Sequence, residues 1–179
     1  MQKNENKNNK KPIPYIWLDE EERHPMMMGE PCTILFTESF ASFTNIVQKI
    51  VGSGAGAILR EVGYEMGKRY AELTFKQYPE LRELDVETQI LELCSIILRN
   101  TGWGTIEITN LDFENKSMLF RLCNHPSSVL EREDKEPTCH FEGGLVSGII
   151  EVIFDEKQTA VDFSCEHESK CCNIRIKSP

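Results

Sequence analysis

The sequence lacks long hydrophobic runs, an apolar N-terminal segment and an excess of basic residues, and each absence excludes a class of protein. No stretch approaches the roughly 18 consecutive apolar residues of a membrane-spanning helix. The polar start of the chain predicts no secretory signal. Asp and Glu total 29 against 20 Lys and Arg, a formal net charge of -9. Direct binding to nucleic acid or to an anionic membrane surface is therefore not expected.

Seven cysteines are present, and without a secretory signal they are expected to be thiols in a reducing, cytoplasmic compartment. The 179 residues suit one domain whose core needs no disulfide. Residues 1–12 are almost wholly polar and are expected to be a disordered tail. Residues 13–31, rich in Pro and Met, are expected to be an irregular lead-in, and the domain itself covers residues 32–179.

Hydrophobic periodicity predicts helices and antiparallel strands in separate runs. The first two helices each carry an apolar stripe along one face. The stripe members are Phe40, Phe43, Ile46, Val47 and Ile50 in the first helix and Ile58, Val62, Met66, Tyr70 and Leu73 in the second. Such runs indicate an α+β fold with helices covering one face of a sheet. The predicted order is a strand at 33–36, helices at 40–50, 55–77 and 86–99, a hairpin of 105–109 with 118–123, a helix at 145–154 and a hairpin of 160–165 with 172–177.

Two helical segments carry a Gly-x3-Gly spacing, which needs a reason because glycine inside a helix costs about 1 kcal/mol relative to alanine. The pairs are Gly63 with Gly67 and Gly144 with Gly148. Residues four apart share one helix face, so each pair either admits another backbone at close range or forms the bare wall of a pocket. In the second case we expect a buried apolar cavity between the second helix and the sheet, lined by Gly63, Gly67, Trp103, Phe141, Gly144 and Gly148.

The last forty residues concentrate the cysteines. Alternation along the final hairpin places Cys165 and Cys172 across from each other on the inward face, and Cys171 toward solvent. With the more distant Cys139 they can hold a zinc ion if a fourth ligand is added, and Asp162 is a candidate. Asp162 and Cys165 point to opposite faces of a regular strand, so sharing a metal requires a bulge. The alternative is a set of buried free thiols.

The four histidines give weaker signals. His24 and His125 stand beside prolines in predicted loops and are expected to face solvent, as is His167 in the last turn. His140 follows a candidate ligand and, like a water molecule, is an alternative to Asp162 as the fourth ligand. The acidic run at 131–136 is expected to be a solvated loop or a lid over a pocket.

The C-terminal motifs together resemble the 4-vinyl reductase domain family, which includes the sensory domains of phenol-responsive activators. The matching motifs are Cys139-His140-Phe141, Gly144-x3-Gly148, Asp162-x2-Cys165 and Cys172-x-Ile174, with supporting similarity around Gly63 and Gly67. The resemblance covers residues 33–177. It implies a fold shared with nitric-oxide-signalling haem domains and Golgi-tether subunits, in which helices pack on a twisted antiparallel sheet, usually in a homodimer.

The same resemblance implies a structural zinc held by Cys139, Asp162, Cys165 and Cys172, since the phenol sensors use three Cys and a Glu at similar spacing. The acid here is the shorter Asp, and the last interval is one residue shorter. Four protein ligands would leave no open position for a catalytic water.

The function implied is a stand-alone sensory or binding domain for a small hydrophobic or aromatic molecule. Any output is expected to pass through another protein, because no ATPase or DNA-binding domain follows in this sequence. One alternative is a dimeric assembly protein of the tether-subunit type. Another is an enzyme of tetrapyrrole or aromatic metabolism, which is disfavoured because no nicotinamide, flavin or nucleophile–base motif is visible.

Overall fold

The computed structural model describes residues 17–18, 25–27, 30–33, 35–99, 101–115, 117–129, 138–166 and 168–178. The chain divides into two units, Met1–Thr33 and Ile34–Pro179. In the first unit, antiparallel pairing joins three short strands, β1 (Trp17–Leu18), β2 (Pro25–Met27) and β3 (Glu30–Pro31). The expectation of an irregular lead-in was therefore wrong for these residues, whereas the predicted tail at 1–12 and His24 lie outside the described residues.

Four α-helices form the first layer of the second unit. Asp85 caps the third helix by accepting a hydrogen bond from the backbone N–H of Thr88 at 3.0 Å, and Pro79 follows the end of the second. The third helix continues in π-helical form over Ser95–Arg99. The helices are α1 (Thr37–Val51), α2 (Ala55–Gln77), α3 (Val86–Cys94) and α4 (His140–Phe154), with 3-10 turns at Gly52–Gly54, Pro79–Glu83 and Pro126–Val129.

The second layer is a four-stranded antiparallel sheet in the order β4-β5-β7-β6. Its strands are β4 (Thr105–Asp112), β5 (Ser117–Cys123), β6 (Thr159–Glu166) and β7 (Cys171–Lys177). Helix α4 contacts α2 and α3 as well as β6 and β7, and the core lies around it. The predicted α+β fold with helices on an antiparallel sheet is confirmed. None of the helices in the described part of the chain is both long and apolar enough to cross a membrane.

Helices α2 and α4 pack backbone against backbone. A Cβ atom at Gly63 or Gly67 would overlap the carbonyl oxygens of Phe141 and Leu145. In the same way, a Cβ at Gly144 or Gly148 would overlap backbone atoms of α2. The space beside these glycines is filled, so the predicted cavity does not exist there. The glycines serve close helix packing, which was the other interpretation of the spacing.

This contact changes which side of each helix faces inward. The inward face of α2 carries Leu59, Gly63, Gly67 and Ala71, whereas Ile58 is 45% exposed. The apolar stripes of α1 and α2 therefore face the core only in part: Phe40 is buried and Met66 packs on the core, whereas Ile46 is exposed. The predicted strand at 33–36 is also absent from the residues described there, and α4 begins one turn earlier than expected.

Candidate metal centre

Three cysteines from three elements meet on the inner face of the sheet. Strand pairing places Cys165 of β6 directly opposite Cys172 of β7, as alternation along the hairpin predicts. Cys139 is the residue immediately before α4, and the contact of α4 with β6 brings it to the hairpin. Candidate ligand atoms of the three residues all lie within 4.8 Å of one another.

The sulfur geometry is compatible with metal binding in the reduced state. Cys139 Sγ lies 3.2 Å from Cys165 Sγ, and Cys165 and Cys172 are joined as a disulfide. Sulfur atoms around a tetrahedral zinc ion with Zn–S bonds of 2.3 Å are about 3.8 Å apart, so small movements suffice once the disulfide is reduced. Three thiolates are soft donors of the kind that Zn²⁺ and Cu⁺ accept. The residues therefore fit the implied metal.

The Cys139 thiol is buried, and its surroundings disfavour the thiolate when no cation is bound. Burial raises the pKa of this thiol far above its ordinary range, and the negative charge of Glu142 raises it further. A bound metal cation reverses this balance because a coordinating thiol is deprotonated. Metal binding at the cluster is therefore expected to release protons.

Asp162 does not join the cluster. Its side chain is 71% exposed, and its carboxylate lies 3.3 Å from Arg175 Nε on the outer face of the sheet. The register of β6 is irregular between Ala160 and Asp162, but it is regular from Asp162 to Cys165. Asp162 therefore stays on the opposite face from Cys165, and its expected role as fourth ligand is not supported by this geometry.

His140 also does not belong to the group of three sulfurs. Its imidazole lies against the ring of Phe163, with centroids 4.9 Å apart, and close to Gly56 of α2. Among the described residues, no further His, Cys, Asp or Glu joins the three thiols as a ligand group. The acidic run at 131–136 and His167 lie outside the residues that the structure describes.

A second pair of cysteines lies on the outer face of the same sheet. Cys123 of β5 is opposite Cys171 of β7, and the two form a disulfide. Cys171 was expected to face solvent, but it is only 7% exposed because Cys123 covers it. Four of the seven cysteines are thus in disulfides, so the expectation of free thiols was wrong for them. Sequence analysis missed the outer pair, although the outward parity of Cys171 was correct. The signal available was a cysteine at the end of β5 and another at the start of β7.

Sequence analysis also missed a buried polar group beside the first turn of α4. Glu142 and His125 are 0% and 1% exposed, and Glu142 Oε1 lies 3.1 Å from His125 Nδ1. The backbone N–H of Ser127 donates to the same oxygen at 3.1 Å. The expectation that His125 faces solvent was wrong, because the 3-10 turn Pro126–Val129 packs it against α4. Nothing adjacent to His125 in the sequence indicated its partner.

Burial alone would raise the pKa of the Glu142 carboxyl, but the hydrogen bond and charge of His125 hold that pKa below its ordinary value. Three other atoms of the group, His125 Nε2, Ser127 Oγ and Glu142 Oε2, are buried with no hydrogen-bond partner among the described residues. Buried polar atoms of this kind can be satisfied by ordered water or by a polar group of a bound molecule.

Trp103 and Phe141 lie beside this polar group rather than in a pocket with the glycines. Trp103 packs against Phe40 and Phe141, with ring centroids 4.8 Å apart in both cases. Gly104 next to Trp103 lies close to the backbone of His125. A cleft of about 20 Å³ is present elsewhere, lined by Asp112, Phe113, Met118, Phe154 and Gln158, and it is far smaller than a ligand pocket.

No family model matches the sequence, and no curated protein matches it either. Similar solved structures show the fold. The phenol-responsive sensory domain of the transcription activator PoxR, with phenol, has a TM-score of 0.74 at 13% identity over 91% of this chain and 84% of that chain. Subunit 3 of a trafficking protein particle complex from Naegleria fowleri, covalently bound to palmitic acid, has a TM-score of 0.57 at 12% identity. The match covers 80% of this chain and 95% of that chain. A vinyl-4-reductase family protein from Methanocaldococcus jannaschii has a TM-score of 0.52 at 21% identity. The match covers 85% of this chain and 86% of that chain. The chain therefore has the fold that is shared by the phenol-responsive sensory domain, the trafficking protein particle complex subunit and the vinyl-4-reductase family protein.

Proposed function

We propose that this chain is a sensory or binding domain for a small hydrophobic molecule and that it carries a structural zinc ion at Cys139, Cys165 and Cys172. The observation that carries the metal proposal is the meeting of three thiols from α4, β6 and β7 within 4.8 Å. The fold similarity to a phenol-responsive sensory domain supports the sensory role. Zinc would tie the start of α4 to the last hairpin, which gives it a structural role.

The ligand site that we propose lies at the start of α4, beside the ring cluster of Phe40, Trp103 and Phe141. The rings supply apolar surface, and the partnerless atoms of His125 and Glu142 supply polar contacts. This combination suits an apolar or aromatic molecule with one hydroxyl or similar polar group. The rings are in contact in the structure, so binding requires them to separate.

The zinc proposal is tested by elemental analysis of protein purified under reducing conditions without chelator. We expect about one zinc per chain, as for a single structural site. Cys172→Ser should lose the metal, whereas the matched variant Cys171→Ser should keep it because Cys171 lies on the outer face. Zinc-free wild-type protein that does not take up added zinc would contradict the proposal, and equal loss in both variants would contradict the ligand assignment.

The ligand proposal is tested by native mass spectrometry of freshly purified protein and by fluorescence. The chain has two tryptophans, so Trp17→Phe leaves Trp103 as a single reporter. Addition of apolar hydroxyl compounds should change the emission of Trp103, and Glu142→Gln should weaken the response. If no small molecule copurifies and no compound changes the emission, the sensory role is wrong.

We further propose a homodimer in which α1 and the outer side of α2 form the contact. Large apolar side chains are exposed there, with Ile50 at 78%, and such patches mark interaction sites. The members are Phe36, Phe43, Ile46, Ile50, Ile58 and Val62. Light scattering should give twice the chain mass, and Ile46→Asp should lower it to that of a monomer. The matched control Asn45→Asp, on another side of α1, should remain dimeric.

The same exposed face favours a second candidate function, a subunit of a protein assembly of the tether type. In that case the face serves dimerisation and protein binding, and the chain has no sensory role. A dimeric mass together with no copurified molecule and no response to added compounds would favour this candidate over the sensory domain. For either function we propose a reducing, cytoplasmic location and a protein partner for output, because the metal-binding state needs free thiols.

A further inference from the structure

The inner thiol cluster has two bonding states that exclude each other. In the structure Cys165 and Cys172 share a disulfide and Cys139 remains a thiol. The same three residues form the metal-binding group, and a sulfur in a disulfide cannot serve as a thiolate ligand. We propose that the cluster is a peroxide-responsive zinc site, in which oxidation of Cys165 and Cys172 to a disulfide expels the metal. This inference rests on the zinc site proposed above.

Accessibility places the first reaction at Cys165. This residue is half-buried, whereas Cys139 is 0% and Cys172 is 2% exposed. Peroxide therefore reaches the sulfur of Cys165 before the other two. Cys172 lies directly opposite on β7 and can act as the resolving thiol. An accessible thiol next to a resolving cysteine is the arrangement found in redox-sensing proteins.

The reaction balances with hydrogen peroxide as the oxidant. The Cys165 thiolate attacks one peroxide oxygen, the O–O bond breaks, and Cys165 becomes a sulfenic acid while the other oxygen leaves as water after taking up a proton. Cys172 then attacks the sulfur of Cys165, the S–O bond breaks, and the second oxygen leaves as water. The two sulfurs together lose two electrons, which the peroxide gains. Cys139 takes up a proton as the zinc ion departs.

Oxidation removes the zinc-mediated link between Cys139 and the last hairpin. In the zinc state Cys139 is bound to the hairpin through the metal, and in the oxidised state it is a free thiol near Cys165. Cys139 precedes the turn of α4 that carries Phe141 and Glu142, which belong to the proposed ligand site. Oxidation therefore loosens the helix end that the ligand site depends on.

The outer disulfide of Cys123 and Cys171 provides a matched control. It lies one residue away along β7 but on the opposite face, and it shares no sulfur with the metal group. The double variant Cys123→Ser, Cys171→Ser removes this pair and leaves the inner three thiols intact. Zinc release in that variant must then come from the inner cluster.

The experiment treats zinc-loaded protein with hydrogen peroxide and measures released zinc with a chromophoric chelator. Peptide mapping after alkylation of free thiols identifies the disulfides in the same samples. We expect zinc release in proportion to a Cys165–Cys172 disulfide, in the wild type and in the outer-pair variant alike. A dithiol reductant with added zinc should restore the metal content. Cys139→Ser should still form the disulfide, although it binds less zinc, and circular dichroism checks that each variant is folded.

Zinc that stays bound while peroxide is consumed would overturn the inference, as would zinc release with oxidation only at Cys123 and Cys171. Both results leave the zinc site itself in place. Protein that never binds zinc would instead overturn the zinc site proposed above. In that case the inference fails with it, and metal analysis before oxidation identifies this outcome.

Discussion

Helix α4 meets the rest of the protein differently on its α2 side and at its first turn. Along α2, Gly144 and Gly148 bring two backbones into contact, and no side chain lies between them. At the first turn, Cys139 and Glu142 bury a thiol and a carboxylate that contact other elements through specific polar partners. One helix thus combines a contact determined by shape with a contact determined by chemistry.

The difference shows where a small molecule or a metal can act. The glycine contact is close-packed and leaves no volume to occupy. The first turn contains a carboxylate, an imidazole and thiols that are costly to bury unless they are paired. Partnerless atoms in this group can be satisfied by an added molecule. A metal or ligand site is therefore expected at the first turn of α4, where polar groups are buried at a cost in free energy. It is not expected at the close-packed contact between α2 and α4.

The largest expected effect is on the glycine side. Gly148→Leu places a side chain into the backbone of α2, where overpacking typically costs about 1–3 kcal/mol and a backbone clash costs more. We expect the loss in the free energy of unfolding, measured by urea denaturation, to be larger than that of Glu142→Ala, because the backbone of α2 must move. The matched variant Gly56→Ala should lose clearly less, because its Cβ meets only the side chain of His140, at 3.0 Å, and no backbone. Normal stability of Gly148→Leu would mean that α2 and α4 are not in contact.

The next effect concerns the polar end of α4. Glu142→Ala leaves His125 and the Ser127 N–H buried without their acceptor, and removing one partner of a buried pair typically costs about 3–5 kcal/mol. Glu142→Gln keeps the shape and one acceptor oxygen, so its loss in unfolding free energy should be clearly smaller. Equal losses for the two variants would show that volume rather than hydrogen bonding determines the contribution of this residue.

Low pH should selectively weaken the stabilising contacts of Glu142 at the first turn of α4. The pKa of Glu142 is lowered in the folded protein, so its stabilising contribution is complete above the ordinary glutamate value of about 4.3 and is lost as the pH falls through the folded value. The groups that face it are His125 and the Cys139 thiol, which remains protonated in this range when no metal is bound. The difference in unfolding free energy between wild type and Glu142→Gln should therefore narrow from pH 6 to pH 3. A constant difference would contradict the lowered pKa.

The comparison also shows what periodicity can predict. It gave α2 its bounds, the two hairpins and the facing of Cys165 and Cys172, because each depends on local spacing. It identified an apolar face of α2 that includes Ile58, whereas the structure buries the face that carries Gly63 and Gly67. Large apolar residues usually mark the inward face, but two helices in backbone contact bury their smallest residues and leave larger ones outside.

Pairing between distant segments was beyond the reach of the sequence patterns. Glu142 and His125 are 17 residues apart across a loop, and neither lies in an alternating or helical stripe that indicates the other. The pairing of Cys123 with Cys171 depends on β5 being the neighbour of β7, which is a property of the sheet order. Asp162 shows the reverse case. Alternation correctly indicated that Asp162 and Cys165 point to opposite faces, although the chemistry of a nearby carboxylate and the resemblance both suggested Asp162 as a ligand.

The smallest effect is expected at Glu151, the second paired carboxylate of α4. Its carboxylate accepts hydrogen bonds from Tyr64 and from Lys68 Nζ, the latter at 2.7 Å, on the edge of the α2 contact. The Lys68 side chain is 39% exposed, so water and salt screen this ion pair, in contrast to the fully buried pair of Glu142 and His125. We expect Glu151→Ala to lower the free energy of unfolding by about 1 kcal/mol, as for a partly exposed pair. The loss should shrink at 1 M salt, whereas the loss in Glu142→Ala should not, because a buried pair is poorly screened. If Glu151→Ala lowers the free energy of unfolding as much as Glu142→Ala does, the two contacts are equally stabilising. The contact of Glu151 with Tyr64 and Lys68 then contributes as much as the buried pair of Glu142 and His125.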